Sequence, residues 1–298
     1  MVKKSIKIVI VIFLIGITGF IFGCSNDYLG LFRSNDLNER MAARNSFWFL
    51  DGEKANKVPR NWREYNLTNE NSYSFIVLAD THIENGKAHR LEELADLISD
   101  NHSSGDPKIE FVVILGDITQ NGALEDILKF IEVADSFGVP CYPVAGNHDI
   151  YFDNWSVWRD YIGSTRYRID FGTENTTSLF ILDSANTFFG KEQLDWLELE
   201  LDKNQSDRTF VFTHAPLFVP ELGPFKLQQI TDTRERARIV SILDGKCDIM
   251  FMGHSHVRVT NKVGNVQYIS IEDFVNEKAY CIVTVPATGE VKVDFNNL

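Results

Sequence analysis

Cysteine is scarce in this chain of 298 residues: four are present, Cys24, Cys141, Cys247 and Cys281, widely spaced. That excludes a disulfide framework and a zinc knuckle, both of which need close sets of cysteines. The last three stand in apolar surroundings and suit small buried hydrophobes. Positive charge is also short, with 29 Lys and Arg against 42 Asp and Glu. An acidic surface repels nucleic-acid phosphates, and no basic run overrides it, so no nucleic-acid partner is expected. Repeats and low-complexity tracts are missing. What remains, 44% hydrophobic and 24% charged residues, is an ordinary globular composition able to bury a core.

The one long apolar run is 8-IVIVIFLIGITGFIFG-23, preceded by Lys3, Lys4 and Lys7 and stopped by Cys24. It is short for a membrane span, which needs about 20 residues. A basic start, an apolar centre and small Gly23 before the break predict a secretory signal peptide. Ile21-Phe22-Gly23-Cys24 resembles a bacterial lipobox, although Phe22 is bulkier than is usual there. That resemblance implies a lipidated Cys24 as the new N-terminus and an extracytoplasmic protein held at a membrane. An uncleaved single-span anchor with its basic end inside is the alternative. Loss of residues 1–24 leaves 26 basic against 42 acidic residues, a net charge of −16.

Residues 25–71 are mostly polar and read as a tether followed by a segment that packs on the domain. From Tyr73 the pattern turns regular. Short β-rich runs, 75-FIVLA-79, 111-FVVIL-115, 141-CYPVA-145, 179-LFILD-183, 210-FVFT-213 and 248-DIMFM-252, alternate with helix-period stripes. Leu91, Leu94, Ala95 and Ile98 form one stripe; Leu124, Ile127, Leu128 and Ile131 form another. Strand–helix alternation predicts an α/β domain with helices covering largely buried sheets. Near the end, 280-YCIVTV-285 and 290-EVKVDF-295 around a Pro-Ala-Thr-Gly turn predict an antiparallel hairpin.

Each of five runs is followed by residues able to bind metal. Asp80-Thr81-His82 follows the first, Gly116-Asp117 the second and Gly146-Asn147-His148-Asp149 the third; His214 follows 210-FVFT-213, and Gly253-His254-Ser255-His256 follows the last. Ligands of α/β domains collect beyond the carboxyl ends of strands, so these loops are expected to converge. Of seven histidines, five stand at these ends; His89 and His102 do not and read as surface residues. Mixed imidazole and carboxylate donors suit Mn, Fe or Zn better than Mg or Ca. Asp117 has two oxygens and can bridge two ions, which such centres hold about 3.5–4 Å apart. Four neutral histidines, Asn147 and two aspartates against two divalent ions leave a positive focus inside an acidic protein, as a phosphate ester requires.

These motifs, in this order over most of residues 73–257, resemble the signature of calcineurin-like metallophosphoesterases. The resemblance implies a four-layer α/β/β/α sandwich of two mixed sheets, with a dinuclear metal site at the strand ends, in a domain over residues 72–298. It assigns Asp80, His82, Asp117 and His256 to one ion, and Asp117, Asn147, His214 and His254 to the other. It implies metal-activated water attacking a small phosphate ester, with His148 beside the leaving group as proton donor or charge stabiliser, and with Asp149 either orienting its imidazole or making a local turn hydrogen bond. Purple acid phosphatases carry a tyrosine where Gln120 stands here. Serine/threonine protein phosphatases carry Asp-Arg before the glycine where this chain has Gln120-Asn121-Gly122, and a glutamate at Asp149. The resemblance therefore narrows to the bacterial branch of cyclic-nucleotide and glycerophosphodiester phosphodiesterases and assorted phosphatases. A non-catalytic surface lipoprotein using the fold as a binding scaffold is the alternative, and the intact set of ligand positions argues against it.

Two segments are candidates for substrate walls. Residues 151–171 carry many aromatics with Arg159, Arg166 and Arg168, and read either as a wall or, preferably, as a helix burying its own rings. The loop 216-PLFVPELGPF-225 is the other candidate.

Overall fold

The structure is a computed structural model and describes residues 37–42, 65–104, 107–151, 153–173, 175–220 and 228–298. The signal segment, Cys24 and most of the expected tether lie outside the described residues. Among the described residues no helix is long and apolar enough to cross a membrane.

The first sheet is built from β1 (Tyr73–Leu78), β2 (Ile109–Ile114) and β3 (Cys141–Pro143), which run parallel, with β10 (Ala279–Val285) and β11 (Lys292–Asn297) added antiparallel at the β1 side. Its order is β11-β10-β1-β2-β3. The second has the order β4-β5-β6-β7-β9-β8: β4 (Tyr167–Phe171), β5 (Thr177–Ile181), β6 (Arg208–Phe212), β7 (Ile249–Met252), β8 (Val259–Val263) and β9 (Val266–Ser270). In it β5, β6, β7 and β9 are parallel, and β4 and β8 close the edges antiparallel. Both sheets are mixed, as expected.

Strand side chains alternate between faces, and both faces of each sheet must be covered. On β6, Phe210 and Phe212 point to the other sheet, whereas Val211 joins a separate outer cluster. On β7, Ile249 and Phe251 face inward and Met250 and Met252 outward. Phe75 of β1 is the hub of the inner layer, with ring centroids 4.6 Å from Phe111, 5.1 Å from Phe210 and 6.4 Å from Phe251. Helices α2 (Glu93–Ser104) and α3 (Leu124–Ser136) pack residues such as Leu94, Ile98, Ile127 and Phe130 into the cluster of the first sheet. Helices α6 (Lys191–Lys203) and α7 (Thr233–Leu243) cover the outer face of the second through Leu194, Leu197, Ile239 and Leu243. The result is the four-layer α/β/β/α sandwich.

The helix stripes need one correction. Leu124, at the first turn of α3, is 43% exposed; the buried face is carried instead by Ile127, Phe130, Ile131 and Ala134. Residues 151–171 follow the short α4 (Asn147–Ile150) and hold α5 (Trp155–Tyr161) and β4. Trp155 and Trp158 are buried, as the helix reading expected. The arginines are occupied: Arg159 pairs with Asp160, Arg166 lies over the Trp196 ring, and Arg168 reaches Asp170, Glu200 and Asn204. Residues 221–225 of the other candidate wall lie outside the described residues; before them, Leu217 and Phe218 pack on the outer cluster.

A short helix ahead of the domain, α1 (Leu37–Ala42), docks beside the end of β5. Arg40 is 1% exposed and grips Asp183 through Nε at 2.8 Å and an Nη at 3.0 Å, with Asn186 Oδ1 accepting a third bond at 2.8 Å. Removing one partner of such a pair strands a buried charge. Replacing Arg40 with Ala is therefore expected to cost about 3–5 kcal/mol in denaturant unfolding; an unchanged midpoint and slope would show that α1 is not part of the folded unit.

Candidate metal centre

The carboxyl ends of β1, β2 and β3 and those of β6 and β7 meet at one edge, because their loops hydrogen-bond to each other. Within each sheet Asp80 N–H donates to Gly116 O at 3.1 Å, His82 N–H to Asp117 O at 2.9 Å, and Gly253 N–H to His214 O at 2.8 Å; across the sheets the His254 N–H donates to Asp80 Oδ2 at 3.0 Å and His214 Nδ1–H to Leu115 O at 2.8 Å. The price of this closeness is backbone strain. Eleven described non-glycine residues have positive φ, and five of them are Asp80, His82, Asp117, His254 and His256. Strain of this kind persists only where the surroundings over-determine it, and it gathers at functional sites.

The glycines of the motifs follow from the same crowding. A Cβ on Gly146 would lie 2.1 Å from the backbone N of Asp117 and 2.2 Å from its Oδ1. One on Gly116 would lie 2.6 Å from His214 Nδ1, at a φ of +85° that already favours glycine. The glycine residues keep the two halves of the centre in contact.

Three sets of donors result, each with one ligand atom per residue and all atoms within 4.8 Å: Asp80, His82 and His256; His82, Asp117 and His148; Asp117, His214 and His254. The separations match donors on a shared ion. Two ligands about 2.0–2.2 Å from one metal stand about 3.0–3.6 Å apart when adjacent. His214 Nε2 is 3.4 Å from Asp117 Oδ1 and 3.0 Å from Asn147 Oδ1, and Asp80 Oδ1 is 3.5 Å from His256 Nε2. The other oxygen of Asp117, Oδ2, lies 4.0 Å from His82 Nε2. Asp117 thus presents one oxygen to each half.

Burial decides protonation. It keeps His82 below the ordinary histidine value and brings His254 down to about 4, so both are neutral, as ligands must be. Burial disfavours charge on Asp117 and on His214 as well, but their mutual attraction wins: Asp117 is held below the usual carboxylate range and His214 is raised. His214 Nδ1–H donates to Leu115 O at 2.8 Å, which leaves Nε2 facing the cluster. Asp80 Oδ1, both ring nitrogens of His82, and His254 Nδ1 are buried with no hydrogen-bond partner. Buried polar atoms left this way are costly, and a bound cation would satisfy them. The residues present therefore fit a metal centre.

All seven expected ligand residues and His148 come together here, and His89 enters none of the three sets. His102's side chain is outside the described residues. Of the two readings of Asp149, the structure matches the one in which it makes turn hydrogen bonds and does not orient His148. Its carboxylate is fully buried and accepts from the N–H groups of Ile118, Thr119 and Gly146 and from Thr119 Oγ1. Burial, then the Asp117 charge, push it up to about 7 against the pull of those bonds. Asp149 fastens the β2 and β3 loops to each other, and the His148 ring is oriented by Gln120 O, 2.7 Å from its Nδ1. A carbonyl has no side-chain signature, so only the folded chain could reveal this partner. His148 itself is half-buried, and its ring centroid is 4.9 Å from that of His82.

The fold and this centre define an α/β protein with a candidate metal-binding edge. The sequence pattern of the calcineurin-like phosphoesterase family matches residues 73–258. The chain belongs to that family. A probable glycerophosphodiester phosphodiesterase of Arcobacter nitrofigilis is 28% identical over 176 residues, 53% of this chain and 60% of that protein. A probable cyclic nucleotide phosphodiesterase of Fibrobacter succinogenes is 26% identical over 194 residues, 61% and 72% of the two chains. The match thus spans only about three fifths of the first relative. Among solved structures, a dimetal phosphatase of Danio rerio superposes with a TM-score of 0.53 at 16% identity, covering 74% of this chain and 98% of its own. A purple acid phosphatase from yellow lupin (Lupinus luteus) gives 0.58 at 12% identity, covering 76% and 51%. At such identities the two structures establish the fold.

Because Gly146 sits against Asp117, Gly146→Ala is expected to displace the carboxylate and release bound metal. Elemental analysis after dialysis checks this: retention of wild-type metal content would contradict the packing argument.

Proposed function

We propose that the protein is a phosphodiesterase for small diesters, with two transition-metal ions (Mn, Fe or Zn) shared through Asp117. Asp80, His82, Asp117 and His256 would hold one ion, and Asp117, Asn147, His214 and His254 would hold the other. The observation that carries the reading is Asp117, with one oxygen toward each set of donors. The phosphodiesterase names of the two curated relatives support a diester, and the net charge of −16 after loss of residues 1–24 speaks against nucleic-acid chains.

When bound, such ions supply Lewis acidity toward phosphoryl oxygens and lower the pKa of water. The chain supplies the rest. Asp117 is held in place by the His148 N–H at 2.8 Å, and Asp80 by the His254 N–H at 3.0 Å, so the carboxylates are fixed before substrate arrives. With Nδ1–H donating to Gln120 O, His148 keeps Nε2 to hold a proton and deliver it to the leaving alkoxide. Its partial exposure beside buried ligands suits a group that meets substrate.

The basic start, the apolar run and the Ile21-Phe22-Gly23-Cys24 sequence support a lipidated Cys24 and an extracytoplasmic, membrane-held enzyme. Fatty-acid labelling lost in Cys24→Ser is the expected result; labelling that survives overturns it.

The catalytic reading is tested on the full chain loaded with Mn, Zn or Fe, against a panel of phosphate mono- and diesters. Diesters are expected to give the higher kcat/KM, and Asp117→Ala to abolish turnover; an Asp117→Ala enzyme as active as wild type would sink it. His148→Ala is expected to keep its metal and lose about 10²–10⁴-fold on esters with poor leaving groups, and much less on good ones. Equal loss on both would remove the proton-donor role, and loss of metal would make His148 a ligand.

A further inference from the structure

Of the candidate ligands, His256 is the one the fold holds least. Asp80 and His214 are fully buried and Asp117 nearly so, whereas the His256 side chain is 38% exposed. Its backbone is in the left-handed region at φ 53°, inside the loop of Gly253-His254-Ser255-His256. A half-exposed ring on a strained loop turns freely about its own bonds unless something fixes its second nitrogen. For His214 that fixing partner is Leu115 O, and for His148 it is Gln120 O. The corresponding group facing His256 Nδ1 is a carboxylate: Asp273 Oδ1, at 3.7 Å.

Asp273 is built to stay there. It follows β9, a sixth strand end that delivers a chemically competent residue to this edge, and it lies beyond the residues matched by the family. It is 4% exposed and pairs with Ala79 in a parallel bridge at the end of β1. The next two N–H groups continue the contact, Phe274 to Ala79 O at 2.8 Å and Val275 to Asp80 O at 3.1 Å. Its Oδ2 accepts from the N–H of Asn276 at 2.9 Å and from Asn276 Nδ2 at 2.6 Å, opening the short helix α8 (Phe274–Glu277). One oxygen is thus committed to the helix and the other is left for the imidazole. The same segment holds the backbone of Asp80, whose Oδ1 is 3.5 Å from His256 Nε2.

We propose that Asp273 is a positioning residue for the metal centre: its Oδ1, 3.7 Å from His256 Nδ1 in this structure, closes to accept from Nδ1–H when metal is held, fixing the tautomer and aiming Nε2 at the ion that Asp80 would also bind. This rests on the two-metal reading above and adds to it the residue that makes the exposed ligand a good one. Partners of this kind raise the basicity of the ligating nitrogen, and losing one weakens metal affinity about 10–100-fold. A cap alone would affect only stability, so the two roles separate.

The test is equilibrium dialysis of the full chain against buffered Zn or Mn, with elemental counting of bound ions. Wild type is expected to take up two. Asp273→Ala is expected to bind one of them about 10–100-fold more weakly with the other unchanged, and Asp273→Asn, which keeps shape and helix cap, to lie near the lower end of that range. Asn276→Ala, which removes only a cap partner, should lower the unfolding midpoint while leaving both affinities intact. Should Asp273→Ala fail to fold, Asp273→Asn decides. Two wild-type affinities in the variant that folds would overturn the proposal and leave the two-metal reading standing; wild type that binds no ion overturns both.

Discussion

Everything at this site depends on one carboxylate being reachable from two sheets. Asp117 stands at the end of β2 in the first sheet, with Oδ1 toward His214 of the second and Oδ2 toward His82 of its own. For that, the sheets must pack closely enough at their carboxyl edge for opposite loops to touch. Phe75 and the rings around it set the spacing of the layers, and Gly116 and Gly146 remove the atoms that would hold the loops apart. The strain of five left-handed candidate ligands is tolerated because the inner core and the loop-to-loop hydrogen bonds leave no other arrangement.

Chemistry in this centre is divided by burial. The deeply buried residues, Asp80, Asp117 and His214, are held by backbone groups and carry the electrostatic burden. His148, half-buried, and His256, more exposed, are the accessible members. Preorganised donors of this sort act in a site that needs little reorganisation during reaction. Asp149 belongs to the buried framework rather than to the accessible members, because its oxygens are consumed by backbone N–H groups.

Much of this was legible in the sequence, for a physical reason. Buried parallel strands read as apolar runs, and the residues just after them are placed by the fold itself, so Asp80, His82, Asp117, Asn147, His214, His254 and His256 could be named without coordinates. Less visible were the edges. β8, VTNKV, is polar and half-exposed, and gives no apolar alternation to find. β4 does alternate, with Tyr167, Ile169 and Phe171 buried, but it lies in an aromatic-rich stretch that favoured a helical reading. With β9 unread, Asp273 had no strand to follow. The partners of His148 and His214 are carbonyl oxygens, which any residue supplies, and nothing in Gly146-Asn147-His148-Asp149 as a sequence decides whether Asp149 bonds its neighbouring imidazole or the backbone of the turn.

The central claim is that one carboxylate joins two ions. Anomalous diffraction from crystals grown with Mn or Zn tests it most directly. The account predicts two peaks about 3.5–4 Å apart with an oxygen of Asp117 on each or one between them. A single ion, or two ions with Asp117 bound to neither, would contradict it.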